Sequence, residues 1–274
     1  MQIQDGNALL KDRIENNKPF AIGKIGVVEL KLMCCYLNNK NYKMFSDMIH
    51  EATHNAGIYP YTQEMFDNFS KRYMDCLQDM DSLAIWSRVI PQLEQGLCSS
   101  AGAIPTGLTD IEPYLNDNPW SHCLKGKNVL VISPFAGTIE KQFAVRDKVW
   151  PNGILPDFNL KTIRYEHART LDPDSKYEST LQAVDETKKM IDDIDFDIAI
   201  LGVGGASILL TSYIRTKNKI AIHMGGSTQI LFGVKGRRWD VIPSISKFYN
   251  DSWVRPEPGE TPPKISDVEG GCYW

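Results

Sequence analysis

The stretch DIAILGVGGAS, Asp197 to Ser207, joins the apolar run of a fully buried strand to a glycine-rich turn, and the residues up to about Arg215 then read as a helix. A second apolar run, Ile220-Ala221-Ile222, closes a strand-helix-strand unit that the crossover rule makes parallel and right-handed. The same alternation extends upstream. Asn128 to Ile132 (NVLVI) reads as a buried strand, followed by the turn Ser133-Pro134-Phe135-Ala136-Gly137 and a helix through Lys148. Leu160 to Tyr165 is another strand, and beyond the polar loop at Leu171 to Ser175 an amphipathic helix spans Tyr177 to Asp192.

The first third of the chain is mainly helical, with apolar residues three and four apart in Val27 to Leu37, Tyr42 to Ala56 and Gln63 to Met80. Met65, Phe66, Phe69, Tyr73, Met74 and Leu77 form a stripe that belongs to a core. Phe20-Ala21-Ile22 and Leu83 to Trp86 have the length and turn neighbours of short strands. Gly96 to Trp120 is rich in Gly, Pro, Ser and Asn and reads as an internal seam. The expected fold class is therefore α/β and Rossmann-like: a mainly parallel sheet flanked by helices, with a helical N-terminal third and an extended C-terminal tail. Residues 1–274 are read as one domain, with 1–18 as a lead-in and 243–274 as the tail. Trp253, Pro256, Pro258, Tyr273 and Trp274 predict that this tail folds back onto the domain.

Composition removes several function classes. The 274 residues carry 30 Lys+Arg against 34 Asp+Glu, a net charge of −4, which argues against nucleic-acid binding through clustered cations. No stretch approaches the ~18 apolar residues of a transmembrane helix. The polar start of the chain fits neither a signal nor a transit peptide, so a cytoplasmic protein is expected. The six cysteines, Cys34, Cys35, Cys76, Cys98, Cys123 and Cys272, contain no CxxC pair, which argues against structural zinc or a disulfide framework.

Ligands of open parallel sheets sit beyond the carboxyl ends of the strands, where backbone amides and helix starts face outward. Four loops meet that condition, after Ile22, Ile132, Leu201 and Ile222. In the third, Gly202, Gly204, Gly205 and Ser207 suit a close backbone approach to a phosphate; a tight structural turn is the other reading. NAD is not expected: Ser207 stands where the dinucleotide fingerprint needs its third glycine, and the next strand ends in His223 instead of an acid. No GxxxxGK[ST] or GxSxG string occurs. The first loop, Lys24 to Glu29, supplies a cation, Gly26 and a carboxylate. The last supplies His223, Gly225, Gly226, Ser227 and Gln229, a mixture suited to hydroxyl-rich ligands. Lys235, Arg237 and Arg238 follow as candidate diphosphate forks, or as a solvated basic helix end. Asp79-Met80-Asp81 has the look of an acidic metal-and-nucleotide motif, a pattern that also arises by chance.

The strings PFAIGKIGVVEL (Pro19 to Leu30), VLVISPFAGTIEKQF (Val129 to Phe143), DIAILGVGGAS, AIHMGGSTQILFGVKGRRWD (Ala221 to Asp240) and NDSWVRPEP with the closing EGGCYW together resemble a group of proteins encoded in surface-polysaccharide gene sets. That group is similar to the GT-D-type glycosyltransferases. The resemblance covers most of the chain from about Pro19 to Trp274. It implies transfer of a sugar from a nucleoside-diphosphate donor, UDP-linked in those enzymes, to a glycan or glycolipid acceptor. It also implies a divalent cation, Mn2+ or Mg2+, held with an Asp-x-Glu pair in a first loop reading Arg-Phe-Gly-Asp-Gly-Glu. Here Lys24 takes the Arg position, Gly26 is kept, Val27 replaces the Asp, Val28 replaces the second Gly, and Glu29 is kept. With half of the acidic pair gone, a metal-independent enzyme is one reading and a catalytically inactive nucleotide-sugar or glycan-binding protein another. On the transferase reading Glu29 and His223 are the catalytic candidates, and the remaining loop residues and cations bind substrate.

Overall fold

A computed structural model describes every residue except Met1, Leu171 and Glu269, so the first residue of the expected Leu171 loop and one residue of the closing EGGCYW string lie outside it. Seven strands form one all-parallel sheet: β1 (Phe20–Lys24), β2 (Ser82–Ala84), β3 (Ile104–Thr106), β4 (Asn128–Ser133), β5 (Asn159–Arg164), β6 (Ile198–Leu201) and β7 (Ile220–His223). Their order is β3-β2-β1-β7-β6-β4-β5. The expected α/β class and parallel strand-helix-strand unit are what the chain adopts.

Side chains alternate between the two faces with period two, as strand geometry requires. One face shows Ala21, Ala221, Ala199 and Leu130, which are aligned across four neighbouring strands by the registers Ala21↔Ala221, Ala199↔Ala221 and Leu130↔Ala199. The other shows Phe20, Ile22, Ile220, Ile222, Ile198 and Ile200. Three aligned alanines leave room for the Ser207–Thr216 helix to lie close against the sheet, and Ile208, Leu209, Leu210, Thr211 and Ile214 of that helix are all buried. Helices Val27–Leu37, Gln63–Leu77 and Thr180–Asp192 pack on the same face. The opposite face is covered by the Gly6–Glu15 helix, the Ala136–Ala144 helix, Trp120 and the segment from Ile230 to Trp253.

Three expectations need correction. Tyr42 to Ala56 is not one helix: only Met48–His50 is α-helical and Glu51–Asn55 makes a π-helical turn. The Gly96 to Trp120 segment is no seam, because it carries β3 and three-residue to five-residue 3-10 turns that cover the sheet. β3 contains Pro105, which an edge strand tolerates because its outer side needs no amide partner. The lead-in is also more than a lead-in: Asp5 caps a helix whose Leu10 and Ile14 are fully buried.

The two faces of β7 respond to opposite changes in volume. Ile222→Ala leaves a cavity and is expected to lower the unfolding free energy by about 2–5 kcal/mol. Ala221→Leu overfills the alanine row and is expected to cost about 1–3 kcal/mol. Urea denaturation of the two variants beside the parent measures both.

Candidate functional site

The loops at the carboxyl ends of β1, β4, β6 and β7 converge on a cavity of about 510 Å³. From the sequence candidates, Lys24, Gly26, Glu29, Gly202, Gly204, His223, Gly225, Gly226, Ser227, Gln229 and Arg238 line it. Gly205, Ser207, Lys235 and Arg237 do not.

What separates the two groups is local hydrogen bonding. Gly205 donates its amide to the Ala56 carbonyl at 3.0 Å, and the buried Ser207 hydroxyl accepts from the Val203 amide at 3.2 Å. Both residues therefore hold the turn: the Gly205 amide is engaged, and Ser207 is buried within the turn and off the cavity wall. Lys235 lies over the Tyr249 ring, and Arg237 donates to the Gly270 carbonyl. Gly202 is needed for loop packing: a Cβ there would come within 2.6 Å of the Gly225 carbonyl oxygen and 2.8 Å of Thr228 Oγ1. Asp79 and Asp81 sit at the opposite end of the sheet, where Asp79 accepts from Ser212 and Asp81 from the Ala21 amide and Arg215.

The β4 loop is closed by the tail. Glu260 is buried and accepts from the Gly137 amide at 2.7 Å, the Thr138 amide at 3.2 Å and the Thr138 hydroxyl. This carboxylate occupies the start of the Ala136–Ala144 helix, where the partial positive charge of the helix favours an anion. The Trp274 indole donates to the Glu260 carbonyl at 2.9 Å, and the Tyr273 carbonyl accepts from the Gln229 amide group at 2.7 Å. These bonds tie the tail to the β4 and β7 loops, and Tyr273 and Trp274 form part of the cavity wall.

The β1 loop closes on itself. Glu29 is buried in the first turn of its helix and its carboxyl folds back over Gly26, where any Cβ would overlap it at 2.0 Å. Burial raises its pKa, against the opposing pull of its own backbone amide and of Lys24. Lys24 is half-buried, and desolvation lowers its pKa; Arg238 lowers it further, whereas Glu112 and Glu29 raise it. Its ammonium stands 5.9 Å from the Trp86 ring centroid. Arg238 donates to the Tyr273 hydroxyl at 2.9 Å.

His223 ends β7 with Nδ1 buried and unpartnered. Burial, then Lys24, lower its pKa to about 3, so it is neutral at pH 7 and a weak base there. The imidazole lines the cavity wall, and burial weakens it for the general-base role that the sequence suggests. Gln229 likewise leaves Oε1 buried and unpartnered, while Ser227 donates to Glu112.

Sequence reasoning missed Trp86, Glu112, Tyr114, His54, Asn55 and His167, all on the cavity wall. Trp86 is held by Glu94, a buried carboxyl that accepts from the Trp86 and Ser87 amides. Glu112 and Tyr114 come from the segment read as a seam, and His54 and Asn55 from the turn read as a regular helix. Among the described residues no three His, Cys, Asp or Glu side chains converge as a metal site. Among the described residues Glu29 and the Ser227-bonded Glu112 are the lining carboxylates, a set that does not by itself fit a protein-held Mn2+ or Mg2+.

No family model matches the chain, and no curated protein matches its sequence. Two solved structures of the domain of unknown function 1792 are similar to it. A selenomethionine-substituted form aligns over 81% of this chain and 82% of its own, with 12% identity and a TM-score of 0.35. A second, described as having a distinct glycosyltransferase fold, aligns over 79% of this chain and 82% of its own, with 12% identity and a TM-score of 0.34.

Two measurements test this arrangement. Glu260→Gln turns an acceptor into a donor facing two amides and is expected to destabilise the fold by about 1–3 kcal/mol, read by urea denaturation. For Glu29, the raised pKa means that its stabilising contribution is complete below the ordinary value of 4.5 and declines as pH rises through the folded value. Glu29→Gln is therefore expected to match the parent near pH ~4 and to exceed its stability at neutral pH, a gap that closes on acidification.

Proposed function

We propose that this protein is a cytoplasmic glycosyltransferase that moves a sugar from a nucleoside-diphosphate donor, UDP in the simplest case, to a hydroxyl of a glycan or glycolipid acceptor. The observation that carries the reading is the pairing of two cations, Lys24 and Arg238, with a buried carboxyl, Glu29, in one aromatic-walled cavity beyond the strand ends. The Gly137 and Thr138 amides at the start of the Ala136–Ala144 helix, and that of Gly205, are already engaged within the chain. Diphosphate charge would therefore be met by side-chain cations, which form strong charge-assisted bonds to phosphate. Trp86, Tyr273 and Trp274 offer ring faces to a base or a sugar.

In this reaction the bond between the anomeric carbon and the diphosphate oxygen breaks and a bond to the acceptor oxygen forms. The acceptor proton passes to the Glu29 carboxylate. Its raised pKa makes it a stronger base than an ordinary carboxylate. Negative charge grows on the departing diphosphate, and Lys24 and Arg238 stabilise it as it grows. No step is assigned to a metal. Val27, in place of the family's Asp, motivates the second reading, a nucleotide-sugar-binding protein that does not turn over.

Titration calorimetry with UDP and UDP-sugars, joined to a transfer and hydrolysis assay, tests both. Lys24→Ala and Arg238→Ala are each expected to weaken UDP binding about ten- to a hundredfold, the worth of a charged hydrogen bond. Glu29→Gln is expected to retain binding and to lose turnover. Normal turnover by Glu29→Gln removes Glu29 as the base, saturable binding without any turnover by the parent selects the binding-protein reading, and failure of every nucleotide to bind overturns both.

A further inference from the structure

Part of the cavity wall takes no role in the reaction above: His54, Asn55 and His167 line the same cavity as Lys24 and Arg238. His54 Nδ1 and Asn55 Oδ1 are buried without a hydrogen-bond partner. Buried polar atoms are nearly always partnered in folded proteins, so two orphaned atoms on one wall of one cavity mark a place where partners come from outside the chain.

The chain holds this wall in place from several sides. The Ala56 carbonyl accepts from the Gly205 amide at 3.0 Å, and the Ile58 amide returns to the Ala52 carbonyl at 2.9 Å. Thr180 accepts from the Tyr59 amide and donates to the Gly57 carbonyl, each at 2.8 Å. Gly57 leaves space for a neighbour: a Cβ there would lie 3.1 Å from His167 Nδ1. A π-helical turn, a geometry often found at functional sites, is thus fixed where His54 and Asn55 line the cavity.

These three side chains differ in chemistry from Lys24 and Arg238, although the charges of Asp267 and Lys264 also act on His54. Burial lowers the pKa of His167 to about 4 and that of His54 as well, so both imidazoles are neutral at pH 7. An amide oxygen and neutral ring nitrogens attract hydroxyl donors and give an anion no charge to bind. The carboxyl of Glu29 comes close to this wall. Its Oε1 lies 3.3 Å from the Cβ position of Gly205, and the Ala56 carbonyl, one residue beyond Asn55, lies 2.9 Å from that position.

We propose that His54, Asn55 and His167 form a subsite for a neutral, hydroxyl-bearing sugar, the acceptor, which they hold with a hydroxyl toward Glu29. This inference deepens the transferase reading and rests on it for the word acceptor, but the subsite itself is tested separately.

The probes are UDP and a panel of neutral oligosaccharides, namely maltotriose, lactose and N,N′-diacetylchitobiose, followed by saturation-transfer NMR and calorimetry on the full chain. At least one sugar is expected to bind. Asn55→Leu, close in shape but without the acceptor, and His54→Phe are each expected to weaken that sugar by about tenfold or more while UDP affinity stays within about twofold. Asn55→Asp keeps an acceptor oxygen and is expected to retain sugar binding; with His54→Phe it decides the matter if melting curves show Asn55→Leu to be unfolded. The subsite is overturned if no panel sugar binds the parent, if folded variants bind sugar as the parent does, or if UDP weakens in step with the sugar. Loss of UDP binding by the parent counts against the donor reading alone, because the sugar measurements are scored without it.

Discussion

The parallel pairing of β1 with β7 is the contact on which the rest of the molecule depends. Its register, Phe20↔Ile220, Ala21↔Ala221 and Ile22↔Ile222, joins residues about two hundred positions apart in the chain. Lys24 and Glu29 follow the first of these strands; His223, Gly225 and Gln229 end or follow the second. A slip of one residue would turn the isoleucines toward the alanine face and the alanines toward the isoleucine face. Both faces are buried, so such a slip is costly on either side, and the register that sorts apolar side chains by size also sets the site loops side by side.

A second constraint is the use of backbone amides by the chain itself. Parallel sheets present helix starts at the ends of their strands, and these commonly hold a ligand phosphate. Here part of that need is met internally, by Glu260 at the start of the Ala136–Ala144 helix and by the Ala56 carbonyl at Gly205. The consequence is electrostatic. Positive charge in the cavity comes from two side chains brought together from opposite ends of the chain, and one of them, Lys24, is held partly out of water beside a carboxyl that is itself out of water. His54, Asn55 and His167 add neutral polar groups to the same cavity wall.

The legible part of this arrangement was what local pattern can carry. The runs NVLVI and DIAIL announced strands because fully buried parallel strands are apolar without alternation. The loops at Lys24 to Glu29 and at His223 to Gln229 could be named because glycine and polar residues after a strand mark its end. The errors have equally local causes. Ile104-Pro105-Thr106 looks like loop because proline removes an amide, yet an edge strand does not need that amide. Tyr42 to Ala56 has helical spacing, but spacing does not distinguish an α-helix from turns and a π-helical turn that bury the same side chains.

By itself the sequence determined the class of fold, the direction of its strands and which loops end them, since these follow from apolar runs, turn residues and the handedness of crossovers. Tertiary structure alone decided which of those loops keep free chemistry. Gly205 and Ser207 read as ligand-binding residues until the Ala56 carbonyl and the Val203 amide are found on them, and Glu260 reads as an ordinary tail residue until it is found capping a helix more than a hundred positions earlier. His54, Asn55 and His167 carry no motif. They become a site only because folding buries them beside one cavity and leaves two of their polar atoms unpaired, and hydrogen-bond satisfaction is a property of the packed chain that no order of residues spells out.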